Sequence, residues 1–262
     1  MRTLAVLLAT LLLLAGCTED QGTNVDPDLV DSVAIPEDGA CRVLTPADVT
    51  MASNATRTVD CSQPHTAQTY EVGDLPDELA DAAYDDPELG DFAYRTCGDR
   101  FEEYVGGDES LVMRSVVSWA WFRPSEKAWS DGARWYRCDI IGGGEHSEQL
   151  RELPKDAEGL LSGRVSDDWL VCADGATVSG ATRVSCSEPH TWRAVTTIKL
   201  GEPQDPYPGD RVVEVRTRDF CDSSVAAVLD YPVSYDFAYT WFQEAEWEVG
   251  NRRSICWAKT ER

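Results

Sequence analysis

Four cysteines recur in order along this chain, and that repetition constrains the fold more than any other feature. Cys41, Cys61, Cys97 and Cys138 match Cys172, Cys186, Cys221 and Cys256, and the flanking residues match with them. Val59-Asp60-Cys61-Ser62-Gln63-Pro64-His65-Thr66 stands against Val184-Ser185-Cys186-Ser187-Glu188-Pro189-His190-Thr191, a shared Val-x-Cys-Ser-x-Pro-His-Thr. Trp129, Gly132 and Cys138 correspond to Trp247, Gly250 and Cys256 at identical spacing, preceded by Trp121-Phe122 and Trp241-Phe242. Self-similarity over this length indicates two like domains rather than a solenoid of short units.

Each copy reads as α+β. Cys97, Phe101, Tyr104 and Val105, and their counterparts Cys221, Val225, Val228 and Leu229, share one helical face. Val117, Trp119 and Trp121 alternate with small residues, and Tyr235, Phe237, Tyr239 and Trp241 alternate in the same way, which is strand periodicity. Further short strands are expected near residues 42–44, 56–61, 66–72 and 134–141, with equivalents in the second copy. Each module is therefore expected to be a small antiparallel sheet packed with one helix. The first two cysteines of a copy fall on sequential strands that can neighbour each other, giving Cys41 to Cys61 and Cys172 to Cys186. The third, on the helix, then faces the last strand, giving Cys97 to Cys138 and Cys221 to Cys256. First with fourth and second with third stays open as the alternative.

The N-terminus specifies a compartment. Arg2 precedes an apolar run from Leu4 to Ala15, shorter than the roughly 20 residues a membrane-spanning helix needs. Residues 1–16 read as a signal peptide. Leu14-Ala15-Gly16-Cys17 resembles the lipobox of bacterial lipoproteins, which implies a diacylglyceryl group on Cys17 and the outer face of the cytoplasmic membrane as the location. Two acyl chains anchor durably where one binds only marginally. Residues 17–38 are acidic, hold no Lys or Arg, and have the composition of a flexible tether. The first module spans 39–142, a connector 143–166, and the second module 167–262. Leu150, Leu153, Leu160 and Leu161 in the connector predict that it packs on one module. Setting Cys17 aside, the even number of cysteines suits an exported protein in an oxidising compartment.

The formal net charge is −24. Phosphate backbones repel such a chain, which excludes nucleic acid as a partner. From Gly73 to Phe92 there are eight acids and no base, at a spacing that does not match an EF-hand loop. This stretch reads as a solvated, mobile insertion, with weak calcium binding as the alternative. Its counterpart, Gly201 to Gly209, is proline-rich.

His65 and His190 are the candidate binding residues. A zinc site or a Cys-His nucleophile would need a free thiolate, and a bridged cysteine offers none. Pro64 and Pro189 would instead fix a turn that the imidazole stabilises through nearby backbone. His146, in the connector, has no counterpart. No hydrolase, metalloprotease, phosphate-loop or dinucleotide motif is present, so no catalytic residue, metal or cofactor is assigned.

The lipobox, the doubled Val-x-Cys-Ser-x-Pro-His, the helix cysteine and Trp-x-x-Gly-x-x-x-x-x-Cys together resemble the septum-formation domain family of actinobacterial lipoproteins, across residues 39–262. The resemblance implies an envelope protein linked to septation and supplies no catalytic residues. Two functions are compatible with these features. The first is a lipid-anchored, non-catalytic interaction module that engages an envelope protein or cell-wall component. The second is an extracytoplasmic hydrolase or metal-dependent enzyme using His65 or His190.

Overall fold

The computed structural model describes residues 24–144, 147–248 and 250–260. The leader, Cys17 and His146 lie outside the described residues. In chain order the first module contains β1 (Cys41–Arg42), α1 (Pro46–Val49), β2 (Thr58–Val59), β3 (Ala67–Asp74), α2 (Pro87–Val105), α3 (Glu109–Val112), β4 (Ser118–Phe122), α4 (Glu126–Ser130) and β5 (Trp135–Ile141). The second contains β6 (Val171–Asp174), β7 (Thr182–Ser185), β8 (Trp192–Lys199), α5 (Asp210–Val228), β9 (Phe237–Thr240), α6 (Glu244–Glu248) and β10 (Arg253–Lys259). Two antiparallel sheets result, ordered β2-β1-β3-β5-β4 and β7-β6-β8-β10-β9. The order is the same in both, so the duplication in sequence is a duplication of topology.

One long helix packs on each sheet. In α2 the buried residues Leu89, Ala93, Cys97, Phe101 and Val105 fall every four positions, one stripe of a helix. Asp86 caps its first turn by accepting from the Glu88 N–H, and Pro87 occupies the first helical position, where its missing N–H costs nothing. Gly106 ends the helix at φ 69°, where its N–H meets the Glu102 carbonyl, and a Cβ there would collide with the Ser162 Oγ. The equivalent stripe of α5 is Val213, Thr217, Cys221 and Val225. Val228, expected on that stripe, is exposed instead: the connector covers the end of α2, with the Gly159 N–H donating to the Tyr104 carbonyl and the Leu161 N–H to that of Val105, and no equivalent segment covers the end of α5 among the described residues.

Both sheets carry a bulge at the same place. Thr69 pairs with Asp139 and Glu71 with Cys138, leaving Tyr70 as the extra residue in β3. In the second sheet Val195 is the extra residue between Ala194 and Thr196. A bulge re-aims a side chain, and Tyr70 uses it to reach over α2, donating to the Cys97 carbonyl at 2.7 Å. Disulfides join Cys41 to Cys61, Cys97 to Cys138, Cys172 to Cys186 and Cys221 to Cys256, the first of the two pairings that the sequence allows. In each module one bridge staples the outer hairpin and one pins the helix to the sheet.

The acidic stretch after β3 is not a mobile insertion. Leu75 and Leu79 are buried in the first core, and Tyr84 packs edge-on against Trp129 at 5.8 Å. Apolar side chains spaced among the carboxylates hold it down while the acids stay in water. The connector packs on the first module, with Leu153, Ala157 and Leu161 in the same core. Residues 24–39 also follow that module rather than leaving it at once: Val25 bridges Thr56, the Asp26 N–H donates to the Ala55 carbonyl, and the Arg57 N–H donates to the Asn24 carbonyl.

Candidate functional site

The two histidines occupy equivalent corners, His65 between β2 and β3, His190 between β7 and β8. His65 Nδ1 lies 2.8 Å from the Gln63 carbonyl and His190 Nδ1 lies 2.7 Å from the Glu188 carbonyl. A carbonyl only accepts, so Nδ1 carries the proton in both rings. Each imidazole closes the turn that the preceding proline starts. They are 1 % and 4 % exposed, the neighbouring cysteines are bridged, and among the described residues no hydrogen bond or ring contact joins the two imidazoles. His65 Nε2 is buried with no hydrogen-bond partner among the described residues. The His65 carbonyl accepts from the Leu153 N–H at 2.8 Å, so this corner also fastens the connector.

A second repeated corner carries an arginine that cysteine spacing does not reveal. Trp129, Gly132 and Arg134 align with Trp247, Gly250 and Arg252, a shared Trp-x-x-Gly-x-Arg. The Arg134 guanidinium carbon lies 4.1 Å from the centroid of the Trp129 ring, and that of Arg252 lies 3.7 Å from the centroid of the Trp247 ring. Both are cation-π stacks. Arg134 donates to the carbonyls of Trp129, Ala133 and Ala80, and Arg252 to those of Trp247, Asn251 and Pro203. Each arginine thus ties a short helix to the loop that follows the third strand of its sheet. Gly132 turns the chain at φ 100° and Gly250 at φ 108°, a region that a side chain would strain.

On the sheet face away from the long helix the copies differ completely. In the first module Asp139 is fully buried between Arg137, at 3.0 Å, and Arg42, at 3.9 Å. Thr69 Oγ1 donates to Asp139 and accepts from Arg42, both at 2.7 Å, while Arg137 reaches the Asn54 side chain and carbonyl. Burial, reinforced by Arg137, lowers the Arg42 pKa to about 10. Pairing through the cysteines places Ala173, Ala194, Ile255 and Trp257 at the four equivalent positions of the second module. Trp257 is fully buried, donates to Thr240 Oγ1 at 3.2 Å, and has Arg183 4.1 Å above its ring. One frame accommodates an ionic cluster in one copy and an indole in the other.

What covers that face differs as well. In the first module the long connection from β1 to β2 closes it, contributing Leu44, Val49 and Asn54. In the second module that connection is short, and residues from the first module close the face. Ser110 of α3 accepts from Thr197 at 2.8 Å, Glu109 pairs with Arg253 at 2.5 Å, Ser115 bridges Leu170, and Val116 packs on the cluster containing Trp257. The segment after α2 is therefore a docking element. Its counterpart after α5 meets no such surface: Tyr231 is 73 % exposed and Val233 fully so, on a turn where Asp230 and Tyr231 both take left-handed backbone at φ 62° and 53°. Two successive non-glycine residues in that region store strain, which commonly marks functional turns. Sequence reading misses this loop because nothing in Asp-Tyr-Pro-Val distinguishes a docked turn from an exposed one.

Elsewhere the surface is acidic. A depression of about 480 Å³ on α2 is lined by Thr96, Asp99, Arg100, Glu102 and Glu103, with Arg100 already paired to Glu103 at 2.8 Å. Burial, then the carboxylates of Glu109, Asp99 and Asp108, pushes the Glu102 pKa up. Among the described residues no group of three or more His, Cys, Asp or Glu is placed to hold a metal ion, and no helix is long and apolar enough to cross a membrane.

Comparison with known families finds two matches to the septum formation model, over residues 20–122 and 113–256. No curated protein and no solved structure matches the chain. The first family match includes the docking element of α3 and the second ends at Cys256 in β10, so both structural copies are involved. The chain belongs to the septum formation family and carries its domain twice in tandem.

Proposed function

We propose that the protein is a lipid-anchored envelope component that works by non-catalytic docking during septum formation, with its contact to an envelope protein or cell-wall component made through the loop after α5. The observation that carries this reading is the asymmetry between equivalent segments. The segment after α2 is seated on the neighbouring module, whereas Asp230-Tyr231-Pro232-Val233 projects into solvent. A strained turn that presents an exposed tyrosine supplies the kind of aromatic anchor on which protein contacts concentrate. Family membership supports the septal setting, and the lipobox resemblance of Leu14-Ala15-Gly16-Cys17 supports the anchor.

The test is complementation of a deletion strain. A Tyr231→Ser, Val233→Asp variant is expected to fold with its eight thiols blocked yet to fail in restoring normal septa. A His65→Ala, His190→Ala variant that retains its fold is expected to restore them. The opposite pattern would refute the docking reading in favour of histidine chemistry.

A further inference from the structure

We propose that the strip from Val25 to Ile35, at the N-terminal edge of the first module, rests on the outer surface of the lipid bilayer. The proposal relies on the reading of Cys17 as the lipidated residue. Composition alone describes residues 17–38 as a tether that lifts the modules away from the membrane. The structure shortens that tether. From Asn24 onward the chain is held to the module: Asn24 Nδ2 donates to the Val43 carbonyl, Val25 bridges Thr56, and Ser125 Oγ donates to Asp31 at 2.7 Å. Only the steps from Cys17 to Asn24 stay outside the described residues, and an extended chain covers at most about 3.6 Å per step, a reach of roughly 25 Å. The module cannot stand far from the lipid.

The side chains displayed there fit an apolar surface. Val25, Leu29, Val30, Val33 and Ile35 are between 40 and 54 % exposed, and Met51, shortly before the Thr56 that Val25 bridges, is 59 % exposed. Concentrations of exposed apolar residues mark interaction or membrane surfaces. These are all aliphatic or thioether groups, without the Trp, Tyr and Arg that anchor protein interfaces. Two of the interleaved acids are answered within the module, Asp26 by Arg57 at 3.9 Å and Asp31 by Ser125. The anchor makes the contact intramolecular, so the strip needs little affinity of its own. The charge of −24 disfavours an anionic leaflet, so the contact is expected on a zwitterionic surface.

Amide hydrogen exchange on the mature lipidated chain in phosphatidylcholine vesicles, compared with the Cys17→Ala chain in solution, tests this. Exchange across residues 25–35 is expected to slow severalfold on vesicles, with residues 228–233 unchanged, and Val30→Asp, Val33→Asp is expected to abolish the protection while the chain stays bound. Equal exchange in the anchored and free chains would overturn the proposal while leaving the anchor intact. Protection in native envelopes but none on protein-free vesicles would also overturn it, by assigning the strip to a protein. Failure of the wild-type chain to sediment with vesicles more than Cys17→Ala would refute the anchor itself.

Discussion

At the scale of the residue, Asp139 is the most exacting position in the first module. It is fully buried, and its carboxylate sits between two buried guanidiniums. Removing one partner of a buried ionic cluster typically costs about 3–5 kcal/mol, because the remaining charge stays desolvated without compensation. Asp139→Ala is expected to lower stability by that order in chemical denaturation; a loss below about 1 kcal/mol would show that water reaches the cluster. Gly106 makes a second demand. Its φ is 69°, and the Ser162 Oγ occupies the space a Cβ would need. Gly106→Ala is therefore expected to destabilise by roughly 1 kcal/mol or more, read from the shift of the denaturation midpoint. Gly106 stands just past the helical stripe, where a glycine is the ordinary stop signal, but the Asp139 cluster is not legible in the sequence. Arg42, Arg137 and Asp139 are not neighbours along the chain as a group and look like ordinary charges, and only the register of β1, β3 and β5 brings them together. The histidines are the reverse case, conspicuous in sequence and, once placed, occupied with holding their own turns.

At the scale of the element, cysteine order carries most of the information. It marks one position on each long helix and one on the last strand of each module, since a bridge can form only where Cβ atoms approach within a few ångströms. The sequence leaves two pairings open because strand order, unlike strand position, is a property of the sheet. The bridges close loops of different length, with sequence separations of 41 for Cys97–Cys138 and 14 for Cys172–Cys186. Chain-entropy arguments give the longer loop about 1 kcal/mol more stabilisation. Paired Cys→Ala variants are expected to rank in that order by thermal or denaturant unfolding; the reverse order would point to strain or residual structure as the larger effect. In the Glu109–Arg253 pair the arginine side chain is 20 % exposed and the glutamate 40 %. After solvent screening the pair is expected to contribute less than about 1 kcal/mol in a double-mutant cycle. The docking of α3 thus draws on Val116 and the β-bridge at Ser115 as much as on charge.

At the scale of the whole molecule, duplication produced two equivalent frames with unequal duties. The first module carries the N-terminal strip and closes the outer face of the second, and the second displays a loop exposed to solvent. Sequence shows the frames, because frame residues recur, and cannot show the duties, because those depend on loops whose chemistry diverges between copies. We read the molecule as a short spacer between a membrane surface and a septal contact. Fluorescence localisation of a tagged chain in dividing cells, alongside its Cys17→Ala form, tests that reading most directly. Enrichment of the wild-type chain at septa is expected, with loss of that enrichment when Cys17 is replaced. Uniform distribution of the wild-type chain, or septal enrichment that survives the substitution, would contradict it.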